Sequence, residues 1–211
     1  NMITNFDIAI IGSGPGGYVA AIRASQLGLS VALIEKAEIG GVCLNWGCIP
    51  TKTLLRSAEV FDLVKKSQDF GIEITRYSLN IDNIVKRSKK VAAKLSNGVK
   101  FLLAKNKVEV IQGNGTLLDK NRVSIKKENN NEDLIIEARN IIIATGARPK
   151  EIPGLKVDGV TVWDYKYALR PSQIPKKLII VGSGAIGIEF ASFYNAIGSE
   201  VTVLEMQNRI L

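Results

Sequence analysis

Apolar runs alternate with amphipathic stretches along the chain, and this pattern predicts an α/β fold. The apolar runs at residues 8–11 and 178–181 are each followed by a glycine-rich turn and then by a stretch with helical spacing. Between these two places the pattern predicts two longer helices, five short strands and a polar loop. The helices are predicted over residues 50–66 and 81–104, the strands over 108–111, 116–118, 122–125, 134–137 and 141–144, and the loop over 128–133.

The chain repeats itself, because residues 8–35 align with residues 178–205 without a gap. Each copy has a GxGxxG motif directly after its first strand and a glutamate at the end of its second strand. The first glycine permits a tight turn, the second lets the backbone approach a pyrophosphate, and the third lets the helix pack on the sheet. The motif residues are Gly12, Gly14, Gly17 and Glu35 in the first copy, and Gly182, Gly184, Gly187 and Glu205 in the second.

These two copies predict two binding sites for adenine dinucleotides. A single GxGxxG motif can be a structural turn, but here the strand, the helix and the glutamate accompany it twice. The helix N-terminus presents N–H groups and the positive end of its dipole to phosphates, and the glutamate accepts the ribose hydroxyls. A 2′-phosphate beside Glu205 would bring two negative charges together, so the second cofactor is predicted to be NAD rather than NADP.

Cys43 and Cys48, the only cysteines in the chain, follow the first copy closely. A pair of thiols beside a dinucleotide site indicates electron transfer between a disulfide and the cofactor. The alternative, two buried and unreactive cysteines, is disfavoured by the flanking glycines and by Lys52, which a dry core would not accommodate. A metal site is not predicted, because the chain has no histidine and no second pair of cysteines.

The backbone between the cysteines must leave regular helical geometry if the two are bonded. Residues five apart in a helix have Cα atoms about 8–9 Å apart, whereas a disulfide needs roughly 4.4–6.8 Å. Gly47 makes this departure easier, and Pro50 suits the first turn of a helix. Regular helix is therefore predicted to begin near Pro50, with Cys48 just ahead of it, where the helix dipole and nearby Lys52 stabilise a thiolate.

The net charge of +8 raises the question of a nucleic-acid partner. Lysines and arginines cluster along the helix predicted over residues 81–104, but this segment lacks interleaved aromatic residues, so a solvated helix face is the better interpretation. The apolar runs are too short to span a bilayer. The sequence thus predicts a cytoplasmic protein that binds neither nucleic acid nor membrane, and its Ile, Asn and Lys content suggests a bacterial source.

Residues 41–52, GVCLNWGCIPTK, closely resemble the redox-active disulfide motif of the flavoprotein disulfide reductases. Among these proteins they are most similar to the dihydrolipoamide dehydrogenases, the E3 components of 2-oxo acid dehydrogenase complexes. The resemblance runs through the whole chain and includes both GxGxxG motifs, Ala144-Thr145-Gly146 and Glu189. It implies a Rossmann-like FAD-binding domain over residues 1–150, followed by the start of a second Rossmann-like domain, which binds NAD, over residues 151–211.

The resemblance also implies a role for each site residue. Cys43 is the outer thiol that exchanges with dihydrolipoamide, and Cys48 is the thiol that makes a charge-transfer contact with the flavin. Electrons pass from the substrate dithiol to the disulfide, then to FAD and finally to NAD⁺. The implied FAD residues are Gly12, Gly14, Gly17, Glu35, Lys52, Gly115, Thr145, Gly146 and Ala147, and the implied NAD residues are Gly182, Gly184, Gly187, Glu189 and Glu205, with Glu189 reaching toward Lys52 and the flavin.

Members of the resembled family are much longer than 211 residues. Their final domain builds a homodimer and carries a catalytic His–Glu pair, whereas this chain has no histidine. We therefore expect the chain to be a fragment that binds FAD weakly and has little activity. The resemblance implies that the complete protein is a homodimer whose partner is the lipoyl domain of an E2 acyltransferase.

Two alternatives remain open at this stage. A reductase of the glutathione, mercury or trypanothione type would use NADPH, and Glu205 argues against it because those enzymes carry basic residues at that place. A non-catalytic FAD-binding or interaction module of this length is disfavoured because the second βαβ unit would keep apolar faces uncovered.

Overall fold

The computed structural model describes residues 4–127 and 133–210. The loop predicted over residues 128–133 lies outside the described residues except for its last position. The described residues form eight strands, six α-helices and a short 3₁₀ turn at Ser67–Phe70, and the predicted α/β class is confirmed. The elements are β1 (Thr4–Ile11), α1 (Pro15–Gln26), β2 (Val31–Glu35), α2 (Gly41–Trp46), α3 (Cys48–Lys65), α4 (Ile81–Lys105), β3 (Glu109–Gln112), β4 (Asn114–Leu117), β5 (Arg122–Lys126), β6 (Leu134–Ile143), α5 (Tyr165–Ala168), β7 (Lys177–Val181), α6 (Ala185–Ala196) and β8 (Glu200–Leu204).

The chain divides into two compact units. The first unit contains Asn1–Asn45 and Ala93–Arg148, and the second contains Trp46–Ala92 and Pro149–Leu211. Among the described residues, no helix combines the length and the apolar character that crossing a membrane requires.

The first unit is built on a six-stranded sheet with the strand order β3-β2-β1-β6-β5-β4. Strands β3, β2, β1 and β6 run parallel, and β5 and β4 continue the sheet antiparallel. All five residues of β2 are buried, as expected for a central parallel strand. Apolar side chains from five of the strands form one core: Ala9, Ile11, Ala32, Ile34, Ile111, Val123, Ile125, Ile136 and Ala138.

The two sequence repeats fold into equivalent β-α-β units. In the first, β1 pairs with β2, and the Gly12 amide donates to the Ile34 carbonyl at 2.8 Å. In the second, β7 pairs with β8, and the Gly182 amide donates to the Leu204 carbonyl at 2.8 Å. Both pairs are parallel, so both glycine-rich turns leave the carboxyl end of a strand, where dinucleotides bind in open α/β sheets.

The two strands predicted over residues 134–137 and 141–144 are wrong as separate elements, because one ten-residue strand, β6, spans both. The polar pair Arg139–Asn140 suggested a break. However, β6 pairs with β5 through its first half and with β1 along most of its length, so its backbone hydrogen bonds continue past these residues. The continuous strand brings Ala144 beside the first glycine-rich turn.

The second unit packs α3 against α6 around a core of aromatic and aliphatic side chains. Phe193 and Tyr194 of α6 are fully buried, as is Leu54 of α3. The Tyr194 hydroxyl donates to the Ala168 carbonyl at 2.7 Å, which satisfies its polar end inside the core. Burial raises the pKa of this tyrosine. The remaining buried members of the cluster are Ala58, Leu169, Phe190 and Ile197.

Candidate functional site

The first glycine-rich turn is shaped by contacts that only glycine permits. Gly12 has a φ of +101°, and a Cβ there would lie 2.3 Å from the Ala144 carbonyl oxygen. A Cβ on Gly17 would lie 1.8 Å from the Gly12 carbonyl oxygen, so this glycine lets α1 pack tightly on the turn. Gly14 differs, because nothing lies within 4 Å of its Cβ position. The open side of Gly14 lets a ligand approach the backbone closely.

The second glycine-rich turn repeats this arrangement. Gly182 has a φ of +105°, and a Cβ on Gly187 would lie 2.2 Å from the Gly182 carbonyl oxygen. Nothing lies within 4 Å of the Cβ position of Gly184. Gly14 and Gly184 are the N-caps of α1 and α6, and neither helix has a side-chain cap. Each helix therefore directs its N-terminal amides and dipole toward the open side of its turn, and a pyrophosphate fits both places.

A serine that sequence reasoning missed holds the glutamate in each repeat. Ser13 donates its amide and its hydroxyl to Oε2 of Glu35, at 2.8 and 2.6 Å. Ser183 donates the same two groups to Oε2 of Glu205, at 2.8 and 2.7 Å. Both serines are buried. The available signal was the serine that stands between the first two glycines in both copies.

The second oxygen of each glutamate is also fixed. Oε1 of Glu35 accepts from the Ala37 amide at 2.8 Å, and Oε1 of Glu205 accepts from the Gln207 amide at 2.7 Å. The Gln207 amide, together with the amide and hydroxyl of Ser183, lowers the pKa of Glu205 to about 2. Glu205 is therefore an anion at neutral pH and is suited to accept hydrogen bonds from ribose hydroxyls.

Cys43 lies in the middle of α2 and is half-buried. The start of α2 is tied to the glycine-rich turn, because the Gly40 amide donates to the Ser13 carbonyl at 3.1 Å and a Cβ on Gly41 would lie 2.8 Å from the Gly14 Cα. Asn45 further fixes the helix by donating to the carbonyls of Ile39 and Gly41 at 3.0 and 2.9 Å. The outer thiol of the predicted pair is thus carried by the same unit as the first repeat.

Cys48 is exposed and is the first residue of α3. The prediction that the helix begins near Pro50 is therefore wrong by two residues. Gly47 is the N-cap, with φ −140° and ψ −115°, so the break from helical geometry falls at the predicted glycine. Pro50 lies in the first turn, where its missing N–H costs no hydrogen bond, and the Thr51 amide makes the first helical bond to the Gly47 carbonyl.

Lys52 and Glu189 form an ion pair within the second unit, with 3.2 Å between Nζ and Oε1. Lys52 lies one turn after Cys48 on α3, and Glu189 lies on α6. The side chains are 64% and 31% exposed, so the pair adds little to stability. Its position on facing helices supports the predicted approach of Glu189 to Lys52.

The remaining predicted site residues lie in the first unit. Gly115 is in β4, and a Cβ there would meet Ile11 and Ile34 at 3.3 Å, so this glycine has a packing role of its own. Thr145, Gly146 and Ala147 follow β6 and are exposed. The Thr145 Cα would lie 3.1 Å from a Cβ on Gly12, which places this segment beside the glycine-rich turn.

The predicted residues therefore fall into two groups. The first unit holds Cys43 and the first repeat together with Gly115 and residues 145–147, and the second unit holds Cys48, Lys52, Glu189 and the second repeat. Each group has an open glycine-rich turn, an uncapped helix N-terminus and an anchored glutamate. This donor set suits a dinucleotide with a ribose diol in each unit.

Comparison with known proteins agrees with this chemistry. The model of the pyridine nucleotide-disulphide oxidoreductase family matches residues 6–211. The chain is 51% identical over 210 residues to a dihydrolipoyl dehydrogenase of Zymomonas mobilis, covering 100% of this chain and 45% of that protein. It is 44% identical over 217 residues to a dihydrolipoyl dehydrogenase of Bacillus subtilis, covering 100% of this chain and 46% of that protein. The chain thus spans about half the length of the curated relatives it matches.

Solved structures show the same fold. LpdA from Mycobacterium tuberculosis matches with a TM-score of 0.89 and 29% identity over 99% of this chain and 46% of that one. The Cu(II) complex of the HOCl-induced flavoprotein disulfide reductase RclA from Escherichia coli matches with a TM-score of 0.83 and 30% identity over 99% of this chain and 44% of that one. The matched family uses FAD and NAD(H), which are the cofactors that the resemblance implies for the two repeats.

Proposed function

Because this chain belongs to the pyridine nucleotide-disulphide oxidoreductase family, we propose that it supplies the FAD site, the redox thiols and part of the NAD site of a dihydrolipoyl dehydrogenase. One observation carries the proposal. Two cysteines flank a glycine break between helices, in a chain that also has two open glycine-rich turns with anchored glutamates. The curated relatives at 43–51% identity are named dihydrolipoyl dehydrogenase.

In the proposed assignment, the first repeat holds the ADP half of FAD. Gly12 and Gly17 shape the turn, Gly14 admits the pyrophosphate, and Glu35 accepts the ribose hydroxyls. The segment after β6 abuts this turn, which supports its assignment to the same cofactor. The other proposed contacts to FAD are Lys52, Gly115, Thr145, Gly146 and Ala147.

The second repeat is proposed to hold NAD by the same arrangement. The glycines of this repeat correspond in role to those of the first repeat, and Glu205 accepts hydrogen bonds from the ribose hydroxyls. The glycines are Gly182, Gly184 and Gly187. Its anionic carboxylate favours NAD over NADP, because a 2′-phosphate would meet a negative charge. This residue also argues against an NADPH-dependent reductase of the glutathione or mercury type. Glu189 is proposed to orient Lys52 toward the flavin.

The thiols are proposed to carry two electrons from the substrate. A thiolate of dihydrolipoamide attacks Sγ of Cys43, so a mixed disulfide forms, the Cys43–Cys48 bond breaks and Cys48 leaves as a thiolate. The second sulfur of the substrate then displaces Cys43 from the mixed disulfide. The substrate dithiol has thereby lost two electrons and two protons and become a disulfide, and the Cys43–Cys48 disulfide has become a dithiol. FAD, when bound, would take the two electrons from this dithiol and hand them to NAD⁺. Cys48 lies at the N-terminal end of α3, one turn before Lys52.

The finer assignments extend this proposal to the complete protein. We propose that it acts in the cytoplasm of a bacterium, that its partner is the lipoyl domain of an E2 acyltransferase, and that it works as a homodimer. The functional boundaries, FAD domain over residues 1–150 and NAD domain from residue 151, are likewise proposals.

The test is the dihydrolipoamide:NAD⁺ oxidoreductase activity of the protein that carries these residues. We expect Cys43→Ser and Cys48→Ser each to abolish it, because neither variant can form the disulfide. Val42→Ala is the matched control, since Val42 is an exposed neighbour on α2 and is 45% exposed. Activity that persists in either cysteine variant would contradict the proposed mechanism.

A further inference from the structure

A serine holds the glutamate of each repeat, and the same three hydrogen bonds reach the carboxylate in both repeats. In each copy the serine amide and hydroxyl both donate to Oε2, and the amide two residues after the glutamate donates to Oε1. The donors come from two places in the chain: the serine lies 22 residues before its glutamate, and the second amide lies two residues after it. The carboxylate therefore has no freedom to turn without breaking charge-assisted hydrogen bonds.

The burial of the serines separates this contact from an ordinary surface interaction. Ser13 is 0% exposed and Ser183 is 2% exposed. The Ser13 hydroxyl also accepts from the Gly40 amide at 3.3 Å, so its proton points to Glu35. A buried hydroxyl of this kind has one strongly favoured orientation, and it transmits that orientation to the carboxylate.

The count of donors indicates what each carboxylate can bind. An ionised carboxylate offers about four acceptor positions, and three are used by the serine and the second amide. The remaining position can accept a hydrogen bond from one hydroxyl of a ribose diol. The same carboxylate has no proton to give to a phosphate and would repel its charge.

We propose that Ser13 and Ser183 are positioning residues that set cofactor choice, because each serine holds its glutamate in the orientation that accepts a ribose diol and rejects a 2′-phosphate. This inference rests on the proposed function, since it takes FAD and NAD as the ligands of the two repeats. It adds that the serine hydroxyl, rather than the glutamate alone, sets the discrimination. It also predicts that each serine acts on its own cofactor.

The test measures the affinities of the purified protein for NADH, NADPH and FAD by titration. We expect Ser183→Ala to weaken NADH binding by about tenfold, which is the lower range for losing a hydrogen bond to a charged group. NADPH binding should not weaken, because the released carboxylate can turn away from a 2′-phosphate. The ratio of the two affinities therefore falls, whereas a merely structural defect would lower both affinities together.

Several variants keep the result decisive. Ser183→Thr retains a hydroxyl and should retain the ratio, and Ser183→Cys, which has similar size but a weak donor, should lower it as alanine does. Ser13→Ala should weaken FAD binding and leave the NADH to NADPH ratio unchanged. Ser199→Ala is the control, because Ser199 is a buried serine of the same unit that donates to the Pro175 carbonyl instead.

The outcomes separate the inference from the function on which it rests. If the parent protein binds NADH, and Ser183→Ala and Ser183→Cys have the same ratio of NADH to NADPH affinity as the parent, the inference is wrong and the proposed function still stands. A parent protein that binds neither FAD nor NADH would overturn the proposed function and the inference together. A ratio of NADH to NADPH affinity that falls in Ser183→Ala and Ser183→Cys but keeps the parent value in Ser183→Thr would support both the inference and the proposed function.

Discussion

At the scale of single residues, the two glutamates and the glycines around them carry most of the proposed binding chemistry. Hydrogen bonds from the Gln207 amide and from the amide and hydroxyl of Ser183 lower the pKa of Glu205 to about 2. Its carboxylate is therefore kept charged by hydrogen-bond donors rather than by a neighbouring cation. Hydrogen-bond donors of fixed geometry thus do here what a salt bridge does elsewhere.

The lowered pKa of Glu205 predicts a pH dependence of stability. Its value falls from 4.5 to about 2 on folding, so the stabilisation is complete above about pH 5 and is lost as the pH falls toward 2. In urea titrations, Glu205→Gln should show a shallower decline of the unfolding free energy between pH 5 and 2 than the parent protein. The residual decline belongs to other carboxyls whose pKa is lowered, such as Asp7 and Asp158. Equal slopes for variant and parent would contradict the prediction.

Adjacent glycines at the start of α1 provide a second prediction. In Gly17→Ala the new Cβ would lie 1.8 Å from the Gly12 carbonyl oxygen, so the turn must shift, and we expect a loss of about 1–3 kcal/mol in unfolding free energy. In Gly16→Ala nothing lies within 4 Å of the new Cβ, and alanine stabilises a helix by roughly 1 kcal/mol relative to glycine. Urea unfolding of both variants measures the difference. A Gly17→Ala variant as stable as Gly16→Ala would show that the tight contact is not maintained.

The glycines and glutamates could be predicted because their spacing is local and has a clear steric reason. Ser13 and Ser183 were missed because the hydrogen bond joins residues 22 positions apart, and no propensity marks a serine as a partner of a distant carboxylate. The repeat itself contained the clue, since both copies have serine at the same place.

At the scale of elements, the break between α2 and α3 separates the two cysteines. Gly47 interrupts the helical backbone, Cys43 lies within α2, and Cys48 opens α3. Cys48 is exposed although its proposed role is contact with the flavin. The proposed function therefore predicts that Cys48 becomes protected when FAD binds.

This contrast predicts how the reduced thiols react. Without FAD, Cys48 should be alkylated faster than half-buried Cys43. Bound FAD should slow the alkylation of Cys48 more than that of Cys43. ADP is the matched control, because it fills the same half-site without a flavin ring and should not protect Cys48. Mass spectrometry of the alkylated peptides gives both rates, and equal protection by ADP and FAD would argue against flavin contact.

Most elements could be predicted from periodicity, and the exceptions have physical causes. The helix α4 and the strands β3 and β5 match their predicted ranges within one residue. β6 was predicted as two strands, because a polar pair in the middle of a strand resembles a turn when its two neighbouring strands are unknown. Helix α2 was not predicted, since six residues are too few for a periodic pattern.

At the scale of the whole molecule, each compact unit contains one β-α-β repeat and one cysteine. The repeat made the two dinucleotide folds predictable. The packing of α3 against α6 could not be predicted, because Leu54 and Phe193 belong to one buried cluster although more than a hundred residues of sequence separate them. Contacts of this kind are decided by side-chain fit rather than by local pattern.

The core of the second unit predicts a large effect of one substitution. Phe193→Ala should lower the unfolding free energy by about 3–5 kcal/mol, because Phe193 is fully buried and makes an edge contact with Tyr194. Phe70→Ala removes the same atoms from a side chain that is 67% exposed and should have little effect. Urea titration compares the two variants. Similar losses would mean that α6 is not packed as described.

The central claim is that the Cys43–Cys48 pair exchanges electrons with a flavin held by the first repeat. The most direct measurement is the visible spectrum of the FAD-loaded protein during anaerobic titration with a dithiol. We predict a long-wavelength absorbance band at two electrons, from a Cys48 thiolate in contact with oxidised flavin, and its absence in Cys48→Ser. If FAD binds and no band forms at any point of the titration, the thiols are not coupled to the flavin and the assignment as a disulfide reductase is wrong.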